Sequence, residues 1–143
     1  MFKKNKDGQA LVELALVFPL FMLIIIGGII DFGFALYNVI TLQQIANDTA
    51  QWATDRRITD DNEIQLHVLD LKPDRWTTDI RVEPVVIAQM QDDPSQTLEI
   101  DISFDSPVYT PFYQTVVQTV SGVSYIPIRA KAVYRLPTVL QSY

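Results

Sequence analysis

The chain has 143 residues, 48% of them hydrophobic, and a formal net charge of −6, which allows one membrane-length helix and one small domain. It has no cysteine, which excludes disulfides and thiolate metal sites, and its single histidine would leave a zinc ion dependent on carboxylates. Beyond residue 8 there are 8 basic and 16 acidic residues, a balance that repels nucleic acid.

A long apolar run follows a short basic start. Lys3, Lys4 and Lys6 precede it, and residues 14–30 carry no charge. As a helix those residues span about 25 Å, slightly less than a hydrocarbon core of about 30 Å, so the transmembrane part is predicted at about 11–32, with Asp31 near one boundary. The basic start favours a cytoplasmic N-terminus, which predicts a single-pass cell membrane protein with an extracytoplasmic C-terminal domain.

Several residues interrupt this run. Pro19 removes a backbone donor and predicts a helix kink, while Gly27, Gly28 and Gly33 weaken the helix. Proline and glycine are common in membrane helices, so they can be incidental. They can equally indicate a helix that packs closely on identical neighbours through small residues.

An amphipathic pattern continues past the predicted span. Apolar residues recur every three or four positions to Ala53, and no proline or glycine occurs between Phe34 and Arg57. The pattern predicts one long helix over residues 9–57, transmembrane first and amphipathic afterwards. The predicted buried positions are Phe32, Leu36, Val39, Leu42, Ile45, Ala46, Thr49, Trp52 and Ala53.

Two ordinary explanations of the N-terminal segment do not fit all of its features. A secretory signal peptide would end in a cleavage site and a helix-breaking stretch, whereas helical periodicity continues here. A plain membrane anchor explains the apolar run but not Glu13, because a carboxylate at the edge of a span is costly. Glu13 snorkelling to the lipid headgroups is the alternative that requires no partner.

The start resembles a prepilin cleavage site followed by a TadE-like pseudopilin helix of tight-adherence (type IVc) pili. The resemblance covers about the first 55 residues, with Leu14 where many members have Phe. It is carried by the stretch Gly8-Gln9-Ala10-Leu11-Val12-Glu13, by Pro19 in the apolar run, and by the later step Asp31-Phe32-Gly33.

The resemblance implies a maturation and assembly route. Residues 1–8 would be a leader peptide that a prepilin peptidase removes by cutting between Gly8 and Gln9. Glu13 would then neutralise the new Gln9 ammonium of a neighbouring subunit, because a charge at low dielectric must be paired. The implied partners are the membrane, other pilin and minor pilin subunits, and the assembly platform in the inner membrane. The implied final location is an extracellular pilus.

The resemblance also implies a role. Similarity to TadE-like proteins suggests a minor pilin that is incorporated in, or initiates, an adhesive pilus. The roughly 85 residues that follow the helix here support a minor rather than a main subunit. A main filament subunit with an added surface domain is one alternative. A single-pass anchored extracytoplasmic binding or assembly protein is the other.

Residues 58–143 are predicted to form a small α+β domain against the long helix. Asp60 begins a capping-box pattern for a short helix with Ile64, Val68 and Leu71 buried. The acidic cluster of Asp60, Asp61 and Glu63 could alternatively bind calcium, but this is less favoured because no spaced calcium loop is present. Alternation predicts an antiparallel sheet of about three strands, over residues 78–88, 97–105 and 125–135, with Pro84 at an edge or a bulge. Acidic residues on the second strand would face basic residues on the third.

A further short helix is predicted over residues 112–120. Thr110 would cap it, Pro111 would be its first residue, and Gly122 would follow its end. The nearby aromatic residues Tyr109, Phe112 and Tyr113 are predicted to pack under the sheet; an adhesive surface is the alternative. No catalytic constellation, cofactor motif or metal site occurs, so an enzyme is not expected.

Overall fold

A single helix dominates the fold. The structure, a computed structural model, describes residues 6–83, 85–89 and 96–136. Helix α1 (Lys6–Arg56) has 51 residues and continues through Pro19, so it is about 76 Å long. It ends because Arg57 adopts a left-handed conformation with φ 55°. The prediction of one helix to residue 57 is therefore correct to within one residue at its C-terminal end, while the kink at Pro19 stays a prediction.

The second helix begins at the predicted cap. Helix α2 (Asp61–Asp70) has Asp60 as its N-cap, whose carboxylate accepts a hydrogen bond from the amide of Asn62 at 2.9 Å. Its buried residues are Ile64 and Val68, as the sequence pattern predicts, and Leu71 is half-buried at the C-cap.

A four-stranded antiparallel sheet follows. Strand β3 (Gln96–Pro107) is central, with β4 (Tyr125–Arg135) along one side and both β1 (Arg81–Val82) and β2 (Val86–Gln89) along the other. The register changes by one residue between Val82 and Val86, the offset that a bulge produces. The predicted first strand is thus two short strands, so the sheet has four strands rather than three; Pro84 itself lies outside the described residues.

The core lies between one face of the sheet and the second half of α1. Alternate residues of β3 and β4 point to it, and α2 and Trp76 close its sides. The α+β class predicted from sequence is confirmed. The core includes Leu42, Ile45, Ala46, Ala50, Ala53, Ile64, Val68, Trp76, Ile80, Leu98, Ile100, Ile102, Phe104, Ile128, Ala130 and Ala132.

The buried stripe of α1 differs from the prediction before residue 42. Phe32, Leu36 and Val39 are exposed, whereas Ala35 and Asn38 are buried. The rest of the chain packs closely against this side of α1, so the side chains buried there are small or polar. Large apolar side chains consequently remain on the outside of α1 along the apolar run.

A buried polar chain joins α1 to the sheet. The indole nitrogen of Trp76 donates to Asn38 Oδ1 at 3.0 Å, and Asn38 Nδ2 donates to Ser106 Oγ at 2.9 Å. Trp76 also stacks on Phe104 with ring centroids 4.0 Å apart. These hydrogen bonds hold the end of β3 beside residue 38. They therefore fix the position of the sheet along the axis of α1.

The outer face of the sheet carries complementary charges, as predicted. Asp101 pairs in register with Lys131, and Lys131 forms a salt bridge with Glu99. On the other side Arg81 forms a salt bridge with Asp105. Exposed pairs of this kind favour one strand register more than they add stability.

The β3–β4 connection contains the last helix. Helix α3 (Pro111–Ser121) follows Thr110, begins with the predicted proline, and ends at Gly122, which has φ 77°. Left-handed backbone at this position favours glycine. The Thr110 side chain makes no cap hydrogen bond within α3, because it is used elsewhere.

Candidate functional site

The N-terminal part of α1 projects away from the domain. Every residue from Gly8 to Phe21 is exposed. The most apolar 18-residue window of the helix has a mean hydropathy of 2.6 and is only 6% buried. By length and composition α1 is able to cross a membrane, and residues 8–21 of its apolar surface are not covered by its own domain.

The residues of the prepilin-like motif lie together on this projecting segment. A side chain at Gly8 would have nothing within 4 Å, so the position is open on all sides. Gln9 Nε2 donates to Glu13 Oε1 at 3.1 Å, one helical turn away. The carboxylate of Glu13 therefore lies beside the residue that the predicted cleavage would make N-terminal.

A second charged residue of α1 has a role that the sequence pattern does not reveal. Asp31 is only 4% exposed. Its carboxylate accepts hydrogen bonds from the amides of Tyr109, at 2.8 Å, and Thr110, at 3.1 Å, and from the Thr110 hydroxyl. Asp31 therefore holds the start of α3 against α1, using amides that the helix itself leaves unpaired.

Two glycines let α3 approach α1 closely. Gly27 and Gly28 are buried, and a Cβ at Gly28 would lie 2.6 Å from the hydroxyl oxygen of Tyr113. That hydroxyl donates to the carbonyl of Ile24 at 3.1 Å. Gly27 and Gly28 do pack closely, but on the chain's own α3. The predicted packing on identical neighbours stays a prediction.

None of the three aromatic residues near α3 packs under the sheet, and two of them, Tyr109 and Tyr113, pack on α1. The ring of Tyr113 meets Phe32 edge-on with centroids 6.1 Å apart, and Tyr109 packs on Phe34 at 4.9 Å. Phe112 is exposed. The predicted location under the sheet is wrong because Asp31 draws the start of α3 towards the apolar run.

Two residues of the acidic cluster at the start of α2 accept hydrogen bonds from backbone amides. Asp60 caps α2, and Asp61 Oδ1 accepts a hydrogen bond from the amide of Val85 at 3.2 Å. Within the described ranges no group of three or more His, Asp or Glu residues is placed to hold a metal ion.

The geometry defines a class of protein: an α+β domain on a long helix whose N-terminal residues 8–21 are exposed and mostly apolar. Residues 8–51 match the model of a family described as TadE-like protein. Over that segment the chain is similar to TadE-like, pilin-related proteins, in line with the resemblance read from its residues. The match ends within α1, before α2 and the sheet. No match was found among curated proteins or solved structures.

Replacing Gly28 by Ala is expected to destabilise the chain, while Gly33→Ala is expected to be neutral or stabilising. The two changes gain the same helix propensity, up to about 1 kcal/mol. Of these two glycines Gly28 faces Tyr113, and overpacking there costs about 1–3 kcal/mol, whereas a Cβ at Gly33 would have nothing within 4 Å. Denaturant unfolding of the full chain in detergent measures both. Adding Tyr113→Phe to Gly28→Ala should recover part of the loss; equal stabilities for the two alanine variants would contradict this packing.

Proposed function

We propose that this protein is a minor pilin of a tight-adherence pilus, cleaved between Gly8 and Gln9 and incorporated in, or initiating, the filament. The observation that carries the proposal is the match of residues 8–51 to TadE-like proteins on a helix whose residues 8–21 are all exposed. An exposed apolar helix needs a non-aqueous surrounding, which lipid supplies before assembly and neighbouring helices supply afterwards.

The charges near the N-terminus support assembly as well as anchoring. Cleavage after Gly8 would create an ammonium on Gln9, one turn from Glu13. In the low dielectric of a helix bundle an ammonium requires a carboxylate partner, and Glu13 of a neighbouring subunit supplies one. The proposed partners are a prepilin peptidase, other pilin and minor pilin subunits, and the assembly platform of the inner membrane.

The proposed location follows from the same helix. Before assembly the protein is a single-pass membrane protein with its N-terminus in the cytoplasm and its domain outside, and after assembly it is part of an extracellular pilus. The charge asymmetry of residues 1–8 supports this orientation. The role is structural and requires no catalytic group.

The position of α3 favours a minor over a main subunit. Because α3 and Tyr113 cover the Gly27–Gly28 side of α1, neighbouring helices can approach that level only from the remaining sides. A subunit repeated throughout a filament core must be surrounded by copies, whereas a subunit at a filament end needs fewer neighbours.

Mature protein from an envelope fraction is expected to begin at Gln9. Mass spectrometry of the purified chain checks this directly. Gly8→Ala, and more strongly Gly8→Val, should cause the uncleaved form to accumulate, because the residue before the cut is proposed to contact the peptidase. Gly33→Ala, at another exposed glycine of α1, is the control and should be cleaved normally. An intact Met1 start in cells with an active prepilin peptidase would exclude the proposal.

A further inference from the structure

The segment around α3 is unusual in an acidic domain because it contains no charge. Residues 106–128 include no Asp, Glu, Lys, Arg or His, although 20% of the whole chain is Asp, Glu, Lys or Arg. Phe112, Val116 and Val120 lie four residues apart on one face of α3, and all three are exposed, Val120 by 83%. Gln114 and Gln118 lie on the opposite face. These three residues form an exposed apolar face outside α1.

The position of α3 along α1 places this face at membrane depth. The Tyr113 hydroxyl bonds the carbonyl of Ile24, which lies eight residues, or about 12 Å, before the predicted outer end of the span at about residue 32. If α3 lay wholly in water, the span would be limited to about residues 11–23. Such a span would measure only about 20 Å, too short for a hydrocarbon core of about 30 Å.

The hydroxyl groups of α3 are satisfied internally, as lipid requires. The hydroxyls of Thr115, Thr119 and Ser121 each donate to the carbonyl four residues earlier, at 3.0, 2.7 and 2.7 Å. At the start of the helix Asp31 accepts the amides of Tyr109 and Thr110. In hydrocarbon every unpaired backbone or hydroxyl group is costly, so this pattern meets a requirement of a lipid surrounding.

We propose that α3 is embedded in the extracytoplasmic leaflet, with its Phe112–Val116–Val120 face in the acyl chains and its glutamine face towards the headgroups. The occupant of the face is lipid because the face continues the exposed apolar surface of α1, whose residues Ile25, Ile26 and Ile29 are exposed at the same level. The domain is then tethered to the bilayer surface by α3 as well as by α1. The inference rests on the proposal that α1 is inserted in a membrane.

The absence of cysteine makes the test direct. Single cysteines placed at exposed positions of the full chain are labelled with an environment-sensitive fluorophore and reconstituted in vesicles of phosphatidylethanolamine and phosphatidylglycerol. The positions are Val120 on the proposed lipid face, Gln118 on the opposite face of α3, Leu23 on α1 and Leu66 on α2. Quenching by lipids with a nitroxide on the acyl chain reports contact with hydrocarbon.

The expected result is strong quenching and blue-shifted emission at Val120 and Leu23, weaker quenching at Gln118, and none at Leu66. Quenching at Leu23 together with a water-like signal at Val120 would overturn the location of α3 while leaving the anchor intact. No quenching at Leu23 would overturn the membrane premise and this inference with it. A label at Val120 shielded from water and from nitroxide lipids, with energy transfer between copies, would show a second chain on the face and would also overturn the proposal.

Discussion

A Glu13→Gln protein is expected to reach the membrane in normal amount and to be cleaved normally, yet to be lost from sheared filaments. The change keeps the size of the side chain and one acceptor oxygen, replaces the other oxygen by an NH₂ donor, and removes the charge. A neighbour's Gln9 ammonium would then be left unpaired at low dielectric. Breaking a buried charge pair costs several kcal/mol, and about 1.4 kcal/mol is a factor of ten, so recovery in filaments should fall by about tenfold or more.

Complementation of a deletion strain measures this effect, with membrane level, processing and pilus recovery scored separately. Glu63→Gln is the matched control: it is the same substitution at an exposed position at the start of α2, far from the projecting helix, and piliation should be unaffected. Normal piliation with Glu13→Gln would favour the plain anchor, because removing a charge from the edge of a span is harmless or favourable.

Replacing Asp31 by Ala is expected to release α3 from α1 while leaving the sheet folded. The carboxylate is buried and accepts two amides and one hydroxyl, and leaving a buried donor without a partner costs about 1–3 kcal/mol. Docking of α3 should therefore weaken by about 2–4 kcal/mol. Alanine has a higher helix propensity than aspartate, so the loss cannot come from α1 itself.

Hydrogen exchange of the full chain in detergent or lipid distinguishes this local effect from global unfolding. The amides of Tyr109, Thr110 and α3 should exchange faster, while those of β3 and β4 stay protected. Asp31→Asn keeps an acceptor oxygen and should have a smaller effect. Asp48→Ala, at an exposed position of the same helix, should change nothing in α3. Uniformly faster exchange in the sheet would show that Asp31 supports the whole domain.

Local signals in the sequence were sufficient for most of the secondary structure. The alternation of apolar and polar residues in 97–105 and 125–135 corresponds to β3 and β4, because one face of each strand is buried and the other is at least partly exposed to solvent. Asp60, Pro111 and Gly122 marked helix boundaries through their own backbone chemistry. The motif from Gly8 to Glu13 is likewise local, and the family match covers it.

The same local reasoning was wrong where the buried partner lies far away in sequence. Periodicity selected the large apolar residues Phe32 and Leu36 for burial, but Ala35 and Asn38 are buried instead. In an apolar run nearly every face is hydrophobic, so periodicity carries no information about which side meets protein and which side meets lipid.

The sequence by itself determined a long membrane-competent helix, a prepilin-like start and an α+β domain, because each depends on residues close together in the chain. Only the tertiary structure decided that α3 docks on the apolar run. That docking joins Asp31 to amides 78 and 79 residues later and fits Tyr113 against Gly28. Neither contact can be predicted from neighbouring residues in the sequence. A carboxylate is stable in a buried position only when donors pair with it, and here those donors come from a distant part of the chain.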